Sequence, residues 1–208
     1  MAKERKGKQR EGNEIEFSRI VAFSDGVFAI AITLLILAVD IPAHLHDESV
    51  AEALWEQREN LLAYGLSFAV IGRFWIVHHR FFSTVTGFDN RLLGLNIFYL
   101  AWIVLLPFSS KVLGDHGGET ATVVLYAVNL SGIVLVGLWM EADARRAGLA
   151  AITPDEHREQ QVRAGYIAAV FLISIPLAFV TPDLAPLLWL ALFFDPGSRF
   201  FAAEQSST

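Results

Sequence analysis

The polar side chains worth questioning first in this chain are those embedded in long apolar runs. Ser24, Asp25 and Thr33 share one run. Arg73, His78 and His79 share a second, Asn96 lies in a third, and Asn129 with Ser131 in a fourth. Polar groups at such depth are costly and are functional candidates by default. Asp25, His78 and Arg73 offer a carboxylate, an imidazole and a guanidinium, the parts of a proton relay for a carrier or a membrane-embedded enzyme. The same groups also suit a structural network between helices, and for Asp25 a structural pair is the preferred reading over direct ion binding. His78 and His79 are neighbours, so on a helix they point about 100° apart and cannot serve one site. A metal or haem site in a helix bundle prefers histidines three or four residues apart on facing helices. With no cysteine in 208 residues there is no thiolate ligand, disulfide or cysteine nucleophile. No nucleophile motif or phosphate loop is present either. No metal, cofactor or enzymatic activity is expected.

The elements that hold these residues are membrane spans. Apolar residues make up 54% of the chain and charged residues 18%, against about 45–50% and about 25% in soluble domains. The run from Phe17 to Val39 would be about 34 Å long as a helix, enough for a hydrocarbon core of about 30 Å. It is too long for a signal peptide and lacks a cleavage site. Further apolar stretches lie near Asn60–Phe82, Arg91–Leu113, Thr120–Met140, Val162–Val180 and Leu184–Phe201. The last is continuously apolar only to Phe194, about 16 Å of helix, before Asp195-Pro196-Gly197. The expected fold is therefore an all-α polytopic membrane protein with six transmembrane helices per subunit. Residues 1–16 form a basic tail read as flexible, 17–201 the membrane domain, and 202–208 a short C-terminal tail. Only Pro176 hints at the broken helices a carrier usually shows, and no internal repeat is visible.

Charge sets the expected orientation. With the N-terminus cytoplasmic and six spans, 13 of the 16 bases fall on the cytoplasmic side, as the positive-inside rule requires. Both termini are then cytoplasmic, in a multi-pass protein of the cell membrane. The opposite face collects acids such as Asp47, Glu48, Glu52, Glu56 and Glu59, which would raise the local cation concentration. A net charge of −6 argues against a nucleic-acid partner.

A helical wheel of the first span separates two faces. With Ile30 at zero and 100° per residue, Arg19, Phe23, Gly26, Thr33 and Leu37 fall within about 60° of it, and Leu34 at the stripe's edge. Asp25 falls nearly opposite, toward other helices of its own subunit. Counted from the helix ends at 1.5 Å per residue, Asp25, His78, Asn96 and Arg73 lie roughly 6–14 Å from the cytoplasmic face, one layer in which Asp25 would find a cationic or hydrogen-bonding partner. An apolar stripe alone is more often packing or lipid contact than a gate. Thr33 would satisfy its hydroxyl on its own i−4 carbonyl, that of Ala29.

Arg19, then Phe23-Ser24-Asp25, then Ile32-Thr33-Leu34-Leu35 in the same helix resemble the prokaryotic relatives of the endosomal and lysosomal potassium channel known as transmembrane protein 175. The run Arg73-Phe74-Trp75-Ile76-Val77-His78-His79-Arg80, and Asn96 with Leu106-Pro107, also look like that family. The resemblance covers roughly residues 17–110, the later spans matching in number and length only. It implies a homotetramer in the lipid bilayer whose pore is lined by the first helix and passes monovalent cations, potassium being favoured modestly over sodium. Like that family, this chain lacks the Thr-Val-Gly-Tyr-Gly filter loop of ordinary potassium channels. By position, Ile30 becomes the tightest apolar ring, Leu34 and Leu37 the rings above it, and Thr33 a polar ring between. Arg19, Phe23, Ser24, Asp25, Arg73, His78 and Asn96 are assigned to a structural network. Arg19 and Phe23 lie on the stripe geometrically, yet no pore role is carried onto them. The alternative remains a proton-coupled carrier or embedded enzyme using the Asp25/His78/Arg73 relay.

Overall fold

In the computed structural model, residues 2–39, 49–151, 153–182 and 184–193 are described. Helix α1 runs Ala2–Leu34 and tightens into a 3₁₀ turn, Leu35–Ala38. A short helix, α2 (Val50–Glu56), precedes α3 (Arg58–Thr84), α4 (Asn90–Asp115), α5 (Thr120–Arg146) and α6 (Pro154–Ala178), and a 3₁₀ helix follows at Ala185–Phe193. Five segments, Ile15–Ala38, Arg58–Thr84, Asn90–Asp115, Thr120–Arg146 and Asp155–Ala178, are long and apolar enough to cross a membrane. The architecture is all-α, with each long span antiparallel to the next.

Two segments differ from expectation. The basic N-terminal segment is helical from Ala2 and continuous with the first span, rather than a flexible tail. Its Lys, Arg, Glu and Gln are good helix formers, and extending an existing helix needs no new nucleus. The sixth apolar stretch is 3₁₀ rather than α where it is described. Nine residues at about 2.0 Å each give about 18 Å, short of a hydrocarbon core. The remainder of that stretch, from Phe194, lies outside the described residues.

Helix ends are set by local chemistry. Asp89 caps α4 by accepting the Leu92 N–H at 2.7 Å. Thr153 and Glu156 form a capping box at α6, with Pro154 at the first position. Ser49 and Glu52 do the same at α2. There Glu52 accepts the Ser49 backbone N–H and hydroxyl, which holds its carboxyl below the usual range. Gly148 closes α5 at φ 69°, a left-handed conformation that glycine adopts at no steric cost. The Leu149 N–H returns to the Ala144 carbonyl and the Gly148 N–H to that of Arg145.

In a bilayer, burial from water does not drive helices together, so close packing and interhelical hydrogen bonds must. α4 is central, flanked by α1, α3 and α5, while α6 packs on α5 and carries the 3₁₀ helix. α4 and α5 pack tightly at Gly132, where an added Cβ would meet the Trp102 ring at 2.6 Å. At the base of the bundle, Phe17 of α1 stacks on Phe88 and lies beside Phe82. The α3–α4 and α5–α6 loops pair there as a single antiparallel bridge between Val85 and Ala150. Arg91 reaches the buried Asp143 at 2.9 Å. These contacts tie the foot of α1 to both loops.

Candidate functional site: the two faces of the first helix

Ser24, Phe28, Ala31, Leu35 and Ala38 are buried, at spacings of four, three, four and three residues. That spacing keeps one face of α1 against the bundle. Phe23, Ile30, Leu34 and Leu37 are exposed, Ile30 at 60% and Leu37 at 71%. Arg19, Gly26 and Thr33 are exposed with them. The stripe that the wheel isolates from sequence is exposed throughout, with Ala22, Ala29 and Ile36 exposed beside it, and within one chain nothing among the described residues covers it. The Thr33 hydroxyl donates to the Ile30 carbonyl at 2.8 Å, one residue short of the expected Ala29. Its oxygen lone pairs remain available on the exposed face.

Behind the stripe stands a buried polar chain. The Ser24 hydroxyl donates to the Ile20 carbonyl at 3.0 Å, so it accepts from the Asn96 Nδ2 at 3.0 Å. That orients the amide with Oδ1 toward His78, 2.9 Å from Nε2. An amide oxygen only accepts, so the imidazole donates through Nε2. Aromatic rings enclose His78: Phe82 at 4.6 Å, Phe28 at 5.3 Å and Tyr99 at 5.4 Å between centroids. Tertiary packing thus bonds α1, α3 and α4 through Ser24, His78 and Asn96.

Asp25 stands outside this chain. It lies at the expected level, but its carboxylate accepts from the Trp75 indole N–H at 2.8 Å, and among the described residues no hydrogen bond joins it to His78 or Asn96. The physical reason is rotation: Ser24 points into the α1–α4 seam, so Asp25, 100° further round, meets α3 alone. Trp75 in turn stacks on the exposed His79 at 5.5 Å. His78 and His79 accordingly serve different surroundings. Arg73 lines a cleft between α3, α5 and α6, a cleft that Asp25 does not line. The hydrogen bond of the Asp25 carboxylate thus goes to Trp75, and that of His78 to Asn96. Arg19 and Phe23, on the exposed face, lie outside the Ser24–Asn96–His78 chain.

Sequence reasoning missed Trp75. The available signal was an indole N–H in an apolar run, which needs an acceptor when buried. It named Asn129 but missed that residue's partners and the second polar chain toward the other end of the bundle. There the Ser67 hydroxyl bonds to Ser110 at 2.8 Å and Tyr126 at 2.9 Å. Ser109 donates to Asn129, whose amide donates to the Trp102 carbonyl at 2.9 Å. Among the described residues no three His, Cys, Asp or Glu side chains converge as a metal site would require.

Comparison with known proteins places this arrangement. The family described as "Endosomal/lysosomal potassium channel TMEM175" matches residues 19–107. A potassium channel of Chamaesiphon minutus is 33% identical over 186 residues, covering 85% of this chain and 88% of that protein. The endosomal/lysosomal proton channel TMEM175 of Gallus gallus is 43% identical over 112 residues, covering 49% of this chain but only 22% of its own length. The crystal structure of a lysosomal potassium-selective channel TMEM175 homolog from Chamaesiphon minutus superposes with a TM-score of 0.71. It has 30% identity and covers 86% of this chain and 96% of that one. These relatives are named as channels, not enzymes. A multi-pass membrane protein with a two-faced first helix, matched along most of its length by such relatives, belongs to the TMEM175 family.

Proposed function

We propose that this chain is a cation channel that favours potassium modestly over sodium, assembled as a homotetramer with the exposed face of α1 around a central axis. The observation that carries the reading is that face: a row of large aliphatic side chains bare on a membrane helix whose other face is locked into the bundle. Four copies put Ile30 at the narrowest ring, with Leu34 and Leu37 above it. Aliphatic side chains offer no oxygen to replace an ion's hydration shell, but a narrow ring of them excludes water and so closes the pore without a plug. A small outward shift or rotation of α1 rewets it, and the cation passes with much of its water retained. Potassium gives up water more easily than sodium, which sets the sign of the preference. The Thr33 oxygens, about one turn from Ile30, add a weak ring of acceptors. The names of the bacterial relatives as potassium channels support this ion.

The Ser24–Asn96–His78 chain fixes the rotation of α1 about its axis, and the Asp25–Trp75 bond adds a second tie to α3. Both act on the pore from behind its wall. The positive-inside asymmetry supports a cell-membrane protein with both termini in the cytoplasm. The test is single-channel recording from purified protein in planar bilayers. Ile30→Asn wets the ring and raises potassium conductance several-fold, whereas Thr33→Ala lowers the potassium-to-sodium permeability ratio with little loss of current. An Ile30→Asn channel that conducts no better than its parent refutes the hydrophobic gate.

A further inference from the structure

The short helix α2 has three faces. At 100° per residue, Val50, Ala51, Leu54 and Trp55 share a sector of about 140°. Glu52 and Glu56 point about 150° away from its centre, and Ala53 lies on the third side. Ala53 is buried, and α2 packs on α3. The four residues of the apolar sector are all exposed, Trp55 at 71%. Water is a poor solvent for such a face.

The position of α2 in the chain says what meets that face. Only Gln57 separates α2 from α3, a span of 27 residues. At 1.5 Å per residue α3 is about 40 Å long, about 10 Å more than a hydrocarbon core. Its first turn carries the Arg58–Glu59 ion pair and so belongs at the level of the headgroups. Leu61 and Leu62, exposed just beyond it, begin the lipid-facing surface of the span. Trp55 is tied to the same level. The Arg58 guanidinium lies over its ring at 5.8 Å and donates to its carbonyl at 3.3 Å. Tryptophan gathers at this boundary because its ring is apolar and its N–H is not. On the opposite sector the Ser49 backbone N–H and hydroxyl hold the Glu52 carboxyl below its usual range, so it stays charged and in water.

We propose that α2 is an interfacial helix, with Val50, Ala51, Leu54 and Trp55 sunk between lipid headgroups and acyl chains where α3 enters the bilayer, and Glu52 and Glu56 facing water. Apolar burial supplies the attachment. Helices that bind anionic membrane surfaces carry Lys and Arg on the polar face, whereas this one carries acids, so anionic lipid adds no attraction. The inference rests on membrane embedding alone and stands whether or not the chain conducts.

The chain has no cysteine, so a nitroxide can be attached at one chosen position of the full-length protein in phosphatidylcholine vesicles. Labels on Val50→Cys and Leu54→Cys should collide with oxygen, which concentrates in lipid, and escape a water-soluble nickel chelate. A label on Glu56→Cys should do the reverse, making the oxygen-to-nickel collision ratio several-fold higher at Leu54 than at Glu56. Adding phosphatidylglycerol should not raise the ratio at Leu54. Equal ratios at Leu54 and Glu56 overturn the proposal by leaving α2 in water. Protection of the Leu54 label from both reagents overturns it by showing that protein, a second copy or another part of this chain, covers the sector. A ratio at Leu54 that appears only with phosphatidylglycerol overturns the apolar attachment. The emission lost in Trp55→Phe gives a reading without any label. Lipids brominated high on the acyl chain should quench it more than aqueous iodide does, and the opposite order overturns the proposal.

Discussion

Asn96 and His78 are best perturbed together. Asn96 is fully buried, and its amide both accepts from the imidazole and donates to Ser24. Asn96→Leu keeps the side chain's shape and removes both functions. The Ser24 hydroxyl retains the Ile20 carbonyl, so most of the loss falls on the His78 N–H, left buried without an acceptor. An orphaned buried polar group costs about 1–3 kcal/mol, and interhelical hydrogen bonds in membranes average nearer 0.6 kcal/mol with a maximum of about 1.7. The single variant should therefore lose about 1–3 kcal/mol. His78→Phe alone leaves the Asn96 oxygen unpaired at similar cost, although the ring itself fits among Phe28, Phe82 and Tyr99. In the double variant neither orphan remains, and an apolar pair of matching shape sits in an aromatic cage. Its stability should be no lower than that of either single variant, a coupling of about 1–2 kcal/mol. For a chain of this length that is roughly 2–8 °C in Tm, measurable by thermal unfolding in detergent micelles. Losses that simply add would refute the inference that this bond couples α3 to α4.

Two further outcomes follow from the packing and the charge pattern. Gly132→Ala would stabilise an isolated helix by about 1 kcal/mol on propensity, but here the new Cβ meets the Trp102 ring at 2.6 Å, and overpacking costs about 1–3 kcal/mol. The clash prevails and Tm should fall, so a rise would show that α4 and α5 have room to separate. Ser49→Cys introduces the chain's sole cysteine at the exposed end of the bundle opposite Phe17. It should react with an impermeant thiol reagent on intact cells, and labelling only after lysis would reverse the topology.

Sequence reasoning reached furthest where a property is local. Hydropathy marked the five long spans because crossing a hydrocarbon core demands about 20 apolar residues in a row, whatever surrounds them. The exposed face of α1 was legible because 100° per residue assigns every side chain on a straight helix a direction before any neighbour is known. Opposite directions for Phe28 and Ile30, and divergent ones for His78 and His79, needed nothing more. Partnership was different. Asp25, expected to find a partner in the layer of His78 and Asn96, is bonded to Trp75, and Ser24 holds Asn96. Which of two neighbours enters a seam depends on the rotation and height of three helices against one another. Those are settled by fits such as Gly132 against Trp102, between positions far apart in the chain. Ser67, Ser110 and Tyr126 went unnoticed for the same reason, since a hydroxyl in an apolar run acquires meaning only when another helix brings its partner within 3 Å. The 3₁₀ form of Ala185–Phe193 also belongs to this second class. Its apolar composition suits an α-helix equally well, and it folds against Tyr126 and Phe171 through Trp189. Direction along a helix is a property of the chain, whereas contact between helices is a property of the assembled bundle.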